Sequence, residues 1–488
     1  MESFNRELDV AFEAYKAGHY DEAEVACQAL LLAAPGDGQV CFLLGMVLHK
    51  EGRDEEAVRW LSRAATFQPE SAQIVSGLGC AYSAMGENHL AMDYFARSIQ
   101  LDPRCADTYY SMGNACYRMG QTERALSLYR TAVELNPRDH ESWNNLGTTF
   151  KDLNRTEEAI AAYDRALGVD PNHARTHRNR AIALLAAGRL EEGFREYEWR
   201  WCRDGQRTAS RPYPQPVWDG EPIPEQTLFV HAEQGFGDMI QFVRYVRAAR
   251  TRAARVILEC QEPLRRLFQF CGFADATIAV GENPLAFDCY VPLMSLGRVF
   301  RTSLDTIPNE VSYIRQPPGD TLPPAPDGHR KVGLAWAGDP KHHHDAARSI
   351  ALEKLVPLFQ TPGITFYSLQ TPVPPGDVAV LRSLPGVVDL GGQLKDFHDT
   401  AAVIGQLDLV ISVDTAVAHL AGAMGKPTWI FLPCCPDWRW LLHRSDTPWY
   451  PTMRLLRQPA TGQWDTTIQL ATEQLGVFCR NNSRANAM

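Results

Sequence analysis

Asp414 and Thr415 follow a short apolar, β-branched run, Asp408–Val413, and precede a stretch of helical character, Ala416–Met424. Gly425 and Pro427 end that helix, and a second apolar run, Thr428–Leu432, completes a β-α-β unit. These residue types suit anion chemistry. A turn at the carboxyl end of a parallel strand that feeds a helix N-terminus offers unpaired N–H groups and a favourable dipole to a phosphate. Ala416 opens the helix and His419 sits one turn in. Spacing alone leaves two readings open: a phosphate cradle, or an ordinary unit in which Asp414 only caps the helix.

Three further clusters carry chemistry. Gln234-Gly235-Phe236-Gly237-Asp238 lies between a strand, Thr227–His231, and a helix. Its glycines let backbone approach a ligand, and Asp238 can act as a general base towards a hydroxyl or merely cap the helix. A lone Gly-x-Gly has little specificity. Trp336-Ala337-Gly338 ends another strand, with Lys341 and Arg348 as cations suited to phosphate. Between them His342-His343-His344 invites a metal reading, but consecutive residues do not share one face, so no metal is expected. The last cluster, Asp437 to Trp449, combines Asp437, Arg439 and Arg444 with three tryptophans, a mixture found at recognition surfaces. The tryptophans suit core packing equally well.

The elements that must position these residues are short strands alternating with helices. Strands are expected at Thr227–His231, Arg255–Glu259, Ala276–Val280, Asp288–Val291, Lys331–Trp336, Thr365–Leu369, Asp408–Val413, Thr428–Leu432 and Arg454–Leu456, with a last helix at Thr466–Phe478. A proline-rich segment at 316–330 divides this α/β half into lobes at 227–315 and 331–488. One larger doubly wound domain with an insertion is the alternative. Upstream, 204–226 reads as an extended, proline-rich connector whose Trp218 packs on a flanking domain.

Residues 1–203 follow a different rule. Pro35, Pro69, Pro103, Pro137 and Pro171 are spaced 34 apart, and Gly45, Gly79, Gly113 and Gly147 keep the same step. Gly18, Gly52, Gly86, Gly120, Asn154 and Gly188 hold a third phase. Each unit is then a pair of antiparallel helices that needs its neighbours to bury its apolar face. About five full repeats fit, with a degenerate sixth, His177–Arg203, as cap. No carboxylate or histidine cluster recurs at a spacing useful for catalysis within the array.

The formal net charge is −10, with 45% hydrophobic and 22% charged residues. No basic face speaks for nucleic acid. The polar, acidic start lacks a signal-peptide pattern, and no apolar run reaches the roughly 20 residues a membrane span needs. The twelve cysteines are dispersed without a C-x-x-C pair, as expected of mostly buried thiols in a reducing, cytoplasmic setting.

The unit Trp143-x-x-Leu146-Gly147-x-x-Phe150, with Ala159, Tyr163 and Pro171 behind it, resembles the tetratricopeptide (TPR) pattern. The Gly-Phe-Gly-Asp loop and the Asp-Thr-Ala-Val-Ala-His segment resemble the heptosyltransferase-like GT-B glycosyltransferases, with Ala416 in place of the family's glycine. The fold class implied is multidomain: an α-helical TPR solenoid followed by an α/β GT-B half of two Rossmann-like lobes. The first lobe would face the acceptor and the second a nucleotide sugar. By that resemblance Asp238 is the catalytic base. Trp336, Gly338, Lys341, Arg348, Asp414, Thr415, Ala416 and His419 would line the donor site. Gln234, Gly235, Gly237, Asp437, Arg439 and Arg444 would line the cleft. No cofactor is implied beyond the nucleotide-sugar co-substrate. The whole resembles bacterial TPR glycosyltransferases of the flagellin-modifying kind and, more distantly, TPR-containing O-linked N-acetylglucosamine transferase. A protein acceptor, flagellin first, would bind the TPR groove, and the repeats can also pair copies of the chain. The alternatives are a non-catalytic TPR adaptor and a transferase acting on a lipid-linked or surface glycan.

Overall fold

The computed structural model describes residues 2–203, 206–207, 211, 213–284, 286–308, 310–342 and 345–485. Its contacts divide the chain into two compact units, Met1–Arg180 and Ala181–Met488.

The first unit is a run of helices of 13 to 15 residues, from Glu2–Lys16 to Thr156–Val169, continued into Ala174–Ala186. The periodic glycines explain how the paired helices pack. A Cβ on Gly79 would lie 2.7 Å from the Phe95 ring, and one on Gly147 would lie 2.7 Å from the Tyr163 ring. In each case the ring sixteen residues on occupies the space a side chain would need. Asn154 holds the inter-helix turn at φ 57°, where the other repeats place glycine.

The contact division falls inside the sixth repeat rather than after it. Leu185, Leu190 and Phe194 are buried in the core of the second unit. There the Phe194 ring meets Phe242 and Trp438 at 5.9 and 5.7 Å. The helix Leu190–Tyr197 is repeat-like in sequence and belongs to the α/β half in packing.

The second unit opens with a two-stranded hairpin, β1 (Cys202–Arg203) and β2 (Gln206–Arg207). It then forms β3 (Ile223–His231), β4 (Ala253–Cys260), β5 (Ala276–Ala279), β6 (Cys289–Pro292), β7 (Arg330–Ala335), β8 (Ile364–Ser368), β9 (Val387–Asp389), β10 (Leu409–Val413), β11 (Thr428–Leu432) and β12 (Met453–Arg457). The first sheet runs β5-β4-β3-β6 and the second β12-β11-β10-β7-β8-β9, with every pairing in both parallel. Strand β10 is buried along its whole length, as a sheet covered on both faces requires. Leu409, Ile411 and Val413 enter one core with the C-terminal helix Asp465–Ala485, while Val410 enters the other.

The connector does pack as expected at Trp218. Its backbone N–H donates to Tyr290 O (2.7 Å) and its ring lies against Phe300. Much of 204–212 lies outside the described residues. Of the twelve cysteines six are buried and six half-buried, so burial is less general than expected. Among the described residues no helix is long and apolar enough to cross a membrane.

Candidate active site between the two sheets

Strand order places the site. In the second sheet β7 and β10 are neighbours, with β8 and β9 beyond one and β11 and β12 beyond the other. The connections therefore leave in opposite directions at the carboxyl ends of β7 and β10, where open α/β sheets bind ligands. The Trp336–Arg348 segment follows β7 and Asp414–His419 follows β10. The first sheet has its own switch between β3 and β6, and the Gln234–Asp238 loop leaves the end of β3.

The two loops meet. A Cβ on Gly237 would lie 2.8 Å from His419 Cδ2, so only glycine admits the histidine ring here. Asp238 accepts from Gly235 N–H (2.9 Å) through Oδ2 and pairs through Oδ1 with Arg439 Nη2. It is therefore a helix cap as well as a cleft-facing carboxylate. Arg439 is buried over the Trp438 ring, with Nη1 2.7 Å from Asp437 Oδ1 and Nε 2.6 Å from Gln241 Oε1. His419 Nδ1 bonds Tyr450 Oη at 2.8 Å and Nε2 lies 3.7 Å from Asp414 Oδ1. Burial, then Arg439, Arg244 and Arg348, push the imidazole far below its usual range, so His419 is neutral.

Asp414 is shifted the other way. Burial first and Asp437 second raise its carboxyl from 3.8 to about 6, against the pull of the Trp440 indole, Arg348 and Arg439. Such a group can take up a proton as a diphosphate approaches and then donate to it rather than repel it. The shift has a sign for stability. The folded chain holds this proton more tightly than the unfolded chain, so no cost exists below pH ~4. A cost grows as pH rises through 6, up to about 3 kcal/mol. Asp414→Asn is expected to raise the melting midpoint of the second unit at pH 8 and to leave it unchanged at pH 4, read by calorimetry against the parent. Equal midpoints at pH 8 would show that Asp414 carries no such cost.

Gly235, Gly237, Asp238, Asp414, His419, Asp437 and Arg439 thus converge, with Thr415 and Ala416 at the start of the helix Ala416–Ala423. Gln234 lies beside them, its Nε2 donating to Tyr197 Oη at 2.6 Å. Arg348 is close enough to influence both Asp414 and His419. It packs with Asp345 against Gly338, where a Cβ would clash with both. Three residues are placed otherwise. The Trp336 ring is fully buried in the second lobe's core and donates to Asp377 Oδ2 (2.7 Å). Lys341 is exposed on its loop, and Arg444 pairs with Asp446 at 2.7 Å. His343 and His344 lie outside the described residues.

Sequence reasoning passed over Gln241 and Tyr450. Gln241 stands three residues after Asp238, on the same helix face, and that spacing could have found it. Nothing local in the sequence points from Tyr450 to His419. It also passed over Glu233, whose carboxylate receives Arg200 Nη2 (3.0 Å) and Met294 N–H (2.7 Å) at the first sheet's switch.

Comparison with known proteins gives the class. Tetratricopeptide-repeat models match residues 14–78, 72–105, 106–139, 140–173 and 174–195. The model of glycosyltransferase family 9 (heptosyltransferase) matches residues 380–430, a span that contains Asp414 to His419. The chain carries a TPR array followed by an α/β half of two parallel sheets with a heptosyltransferase-family segment. It is 25% identical over 292 residues to Protein FlbA of Caulobacter vibrioides, covering 54% of this chain and 48% of FlbA. It therefore spans about half the length of that relative. Among solved structures, TTC0263, a thermophilic TPR protein of Thermus thermophilus, is 22% identical with a TM-score of 0.35, covering 37% of this chain and 99% of that one. YrrB, a TPR protein with an unusual peptide-binding site, is 20% identical with a TM-score of 0.29, covering 35% and 88%.

Proposed function

We propose that the α/β half transfers a sugar from a nucleotide-sugar donor to hydroxyl groups of a protein acceptor, and that the TPR array recruits that acceptor. The observation that carries this reading is the meeting of the Gly235–Asp238 loop with the Asp414–His419 helix start, a carboxylate set against a phosphate-type cradle. In this reading the N-terminus of Ala416–Ala423, with Thr415 and Arg348, receives the donor's phosphates. Arg348 and Arg439 supply the positive charge that a departing nucleoside diphosphate requires, so no metal is needed. Asp238 takes the acceptor hydroxyl's proton as that oxygen attacks the anomeric carbon. Each carboxylate oxygen offers two lone-pair directions, so the bonds from Gly235 and Arg439 leave Asp238 room to accept. Flagellin is the first acceptor to try, on the family resemblance, and the reaction is placed in the cytoplasm.

Asp238→Asn is expected to keep the fold and lower transfer by about 10²–10⁴-fold, the usual contribution of a positioned base. The assay follows labelled sugar into protein from a panel of nucleotide sugars. Near-normal turnover in the variant would reduce Asp238 to a cap. The engagement of both Asp238 oxygens also suits a second reading, a TPR adaptor with a non-catalytic α/β half. That reading gains if no nucleotide or nucleotide sugar raises the melting temperature of the second unit.

A further inference from the structure

His140, Glu141 and His173 are far apart in sequence and meet on the repeat array. His140 and Glu141 open the helix His140–Asp152, and His173 immediately precedes Ala174–Ala186 in the next repeat. One oxygen, Glu141 Oε1, lies 3.6 Å from His173 Nε2 and 3.7 Å from His140 Nε2. Each of the three side chains has a ligand-type atom within 4.8 Å of one on each of the others. Ligand atoms held about 2.0–2.1 Å from a tetrahedral zinc stand roughly 3.4 Å apart, and the two edges that meet at Glu141 Oε1, 3.6 and 3.7 Å, are only slightly wider than that.

The surrounding hydrogen bonds set the histidine's tautomer. Asn144 Nδ2 donates to Asn145 Oδ1 (3.1 Å), while Asn144 Oδ1 accepts from Asn179 Nδ2 (3.0 Å) and from Thr176 Oγ1 (3.2 Å). The Thr176 hydroxyl proton is thereby committed to Asn144. Its oxygen, 2.7 Å from His173 Nδ1, must accept from that nitrogen. The proton on Nδ1 leaves Nε2 with a lone pair, facing a carboxylate oxygen that also only accepts. Two acceptors at 3.6 Å call for a cation. Such an outer hydrogen bond to a ligating histidine is the usual support of a metal centre.

Arg175 pairs with the other oxygen, Glu141 Oε2, and leaves Oε1 to the histidines. The three side chains are 21 to 32% exposed, enough for an ion and a water to enter from solvent. A second group, Asp396, His398 and Asp399, is different because the Arg266 guanidinium already sits among its members.

The geometry points to a divalent-metal site, with zinc the best fit, in which His140 Nε2, Glu141 Oε1 and His173 Nε2 tie two successive repeats together. It is independent of the glycosyl-transfer reading.

The test is a zinc titration of the full chain in competition with a chromophoric chelator. The parent is expected to hold one equivalent that His140→Ala/His173→Ala lacks. Alanine at His342, His343 and His344 should leave that equivalent in place. Thr176→Val, close to isosteric at a fully buried position, should weaken it by about 10–100-fold by releasing the tautomer. Circular dichroism melting reports whether each variant keeps its repeats. A double histidine variant that holds as much zinc as the parent overturns the proposal. So does loss of the equivalent with His342–His344, or an unchanged affinity in a folded Thr176→Val protein.

Discussion

Arg439→Ala is expected to lower the stability of the second unit by about 3–5 kcal/mol, the cost of removing one partner from a buried ion pair. The guanidinium stands between two lobes and is bonded on every side. It meets Asp238 and Gln241 from the first lobe, Asp437 from its own loop, and the face of Trp438. Truncation strands the Asp238 carboxylate, whose side chain is only 18% exposed, and leaves Gln241 Oε1 without its donor. Arg439→Lys should recover part of the loss, since an ammonium keeps the charge but not the fork that reaches three acceptors. The measurement is urea unfolding followed by tryptophan fluorescence, with slope compared as well as midpoint. A change below about 1 kcal/mol would place Arg439 among ordinary surface pairs. In a cycle with Asp238→Asn, the double variant should lose much less than the sum of the single losses, because the stranded charge is gone.

The strands of the α/β half were legible because each is a compact apolar run between turn residues. Thr428–Leu432 matches β11 at both ends, and Asp408–Val413 differs from β10 by one residue. Strand β9 was missed for the converse reason. Val387–Asp389 is three residues long, half-exposed, and preceded by Leu384-Pro385-Gly386, which reads as a turn. The repeats were legible through their period, and the ring-on-glycine contacts show why that period cannot drift. What a period hides is proximity between units. His140 and His173 look unrelated along the chain, yet stacking places them side by side, a proximity that a search for recurring catalytic spacings does not see. Trp336 shows a similar limit in the α/β half. A tryptophan at a strand's carboxyl end can turn to the ligand or to the core, and only the packing of β7 against the C-terminal helix decides. The site itself was half legible. The loops announce themselves by glycine and capping residues, but the Asp238–Arg439 pair joins positions 201 residues apart.

The sixth repeat shows what a 34-residue pattern cannot reveal: which neighbour a helix serves. A fragment beginning at Ala181 is expected to fold with a cooperative transition, whereas one beginning at Arg211 is not. The shorter fragment lacks Leu185, Leu190 and Phe194, all at most 1% exposed within the α/β core. Phe194 alone fills space against Gly297, where a Cβ would come within 2.9 Å of its ring, and it also meets Trp438 beside the candidate site. Removing a buried phenylalanine costs about 3–5 kcal/mol, a large part of the total for an ordinary domain. The shorter fragment also loses Arg200, the cation that balances buried Glu233 and holds Glu198 and Ser295 (Nη1 to Glu198 Oε1, 2.9 Å; Nη2 to Ser295 Oγ, 2.8 Å). Burial already raises the Glu233 pKa against the pull of Arg200, so without that arginine the carboxyl must stay protonated or draw water into the core. The point variant Phe194→Ala in the full chain separates this packing from the length of the fragment. It should lower the midpoint of the second unit and leave the transition of Met1–Arg180 in place. A Phe194→Ala protein as stable as the parent, or a soluble, cooperatively melting fragment from Arg211, would return this helix to the repeats.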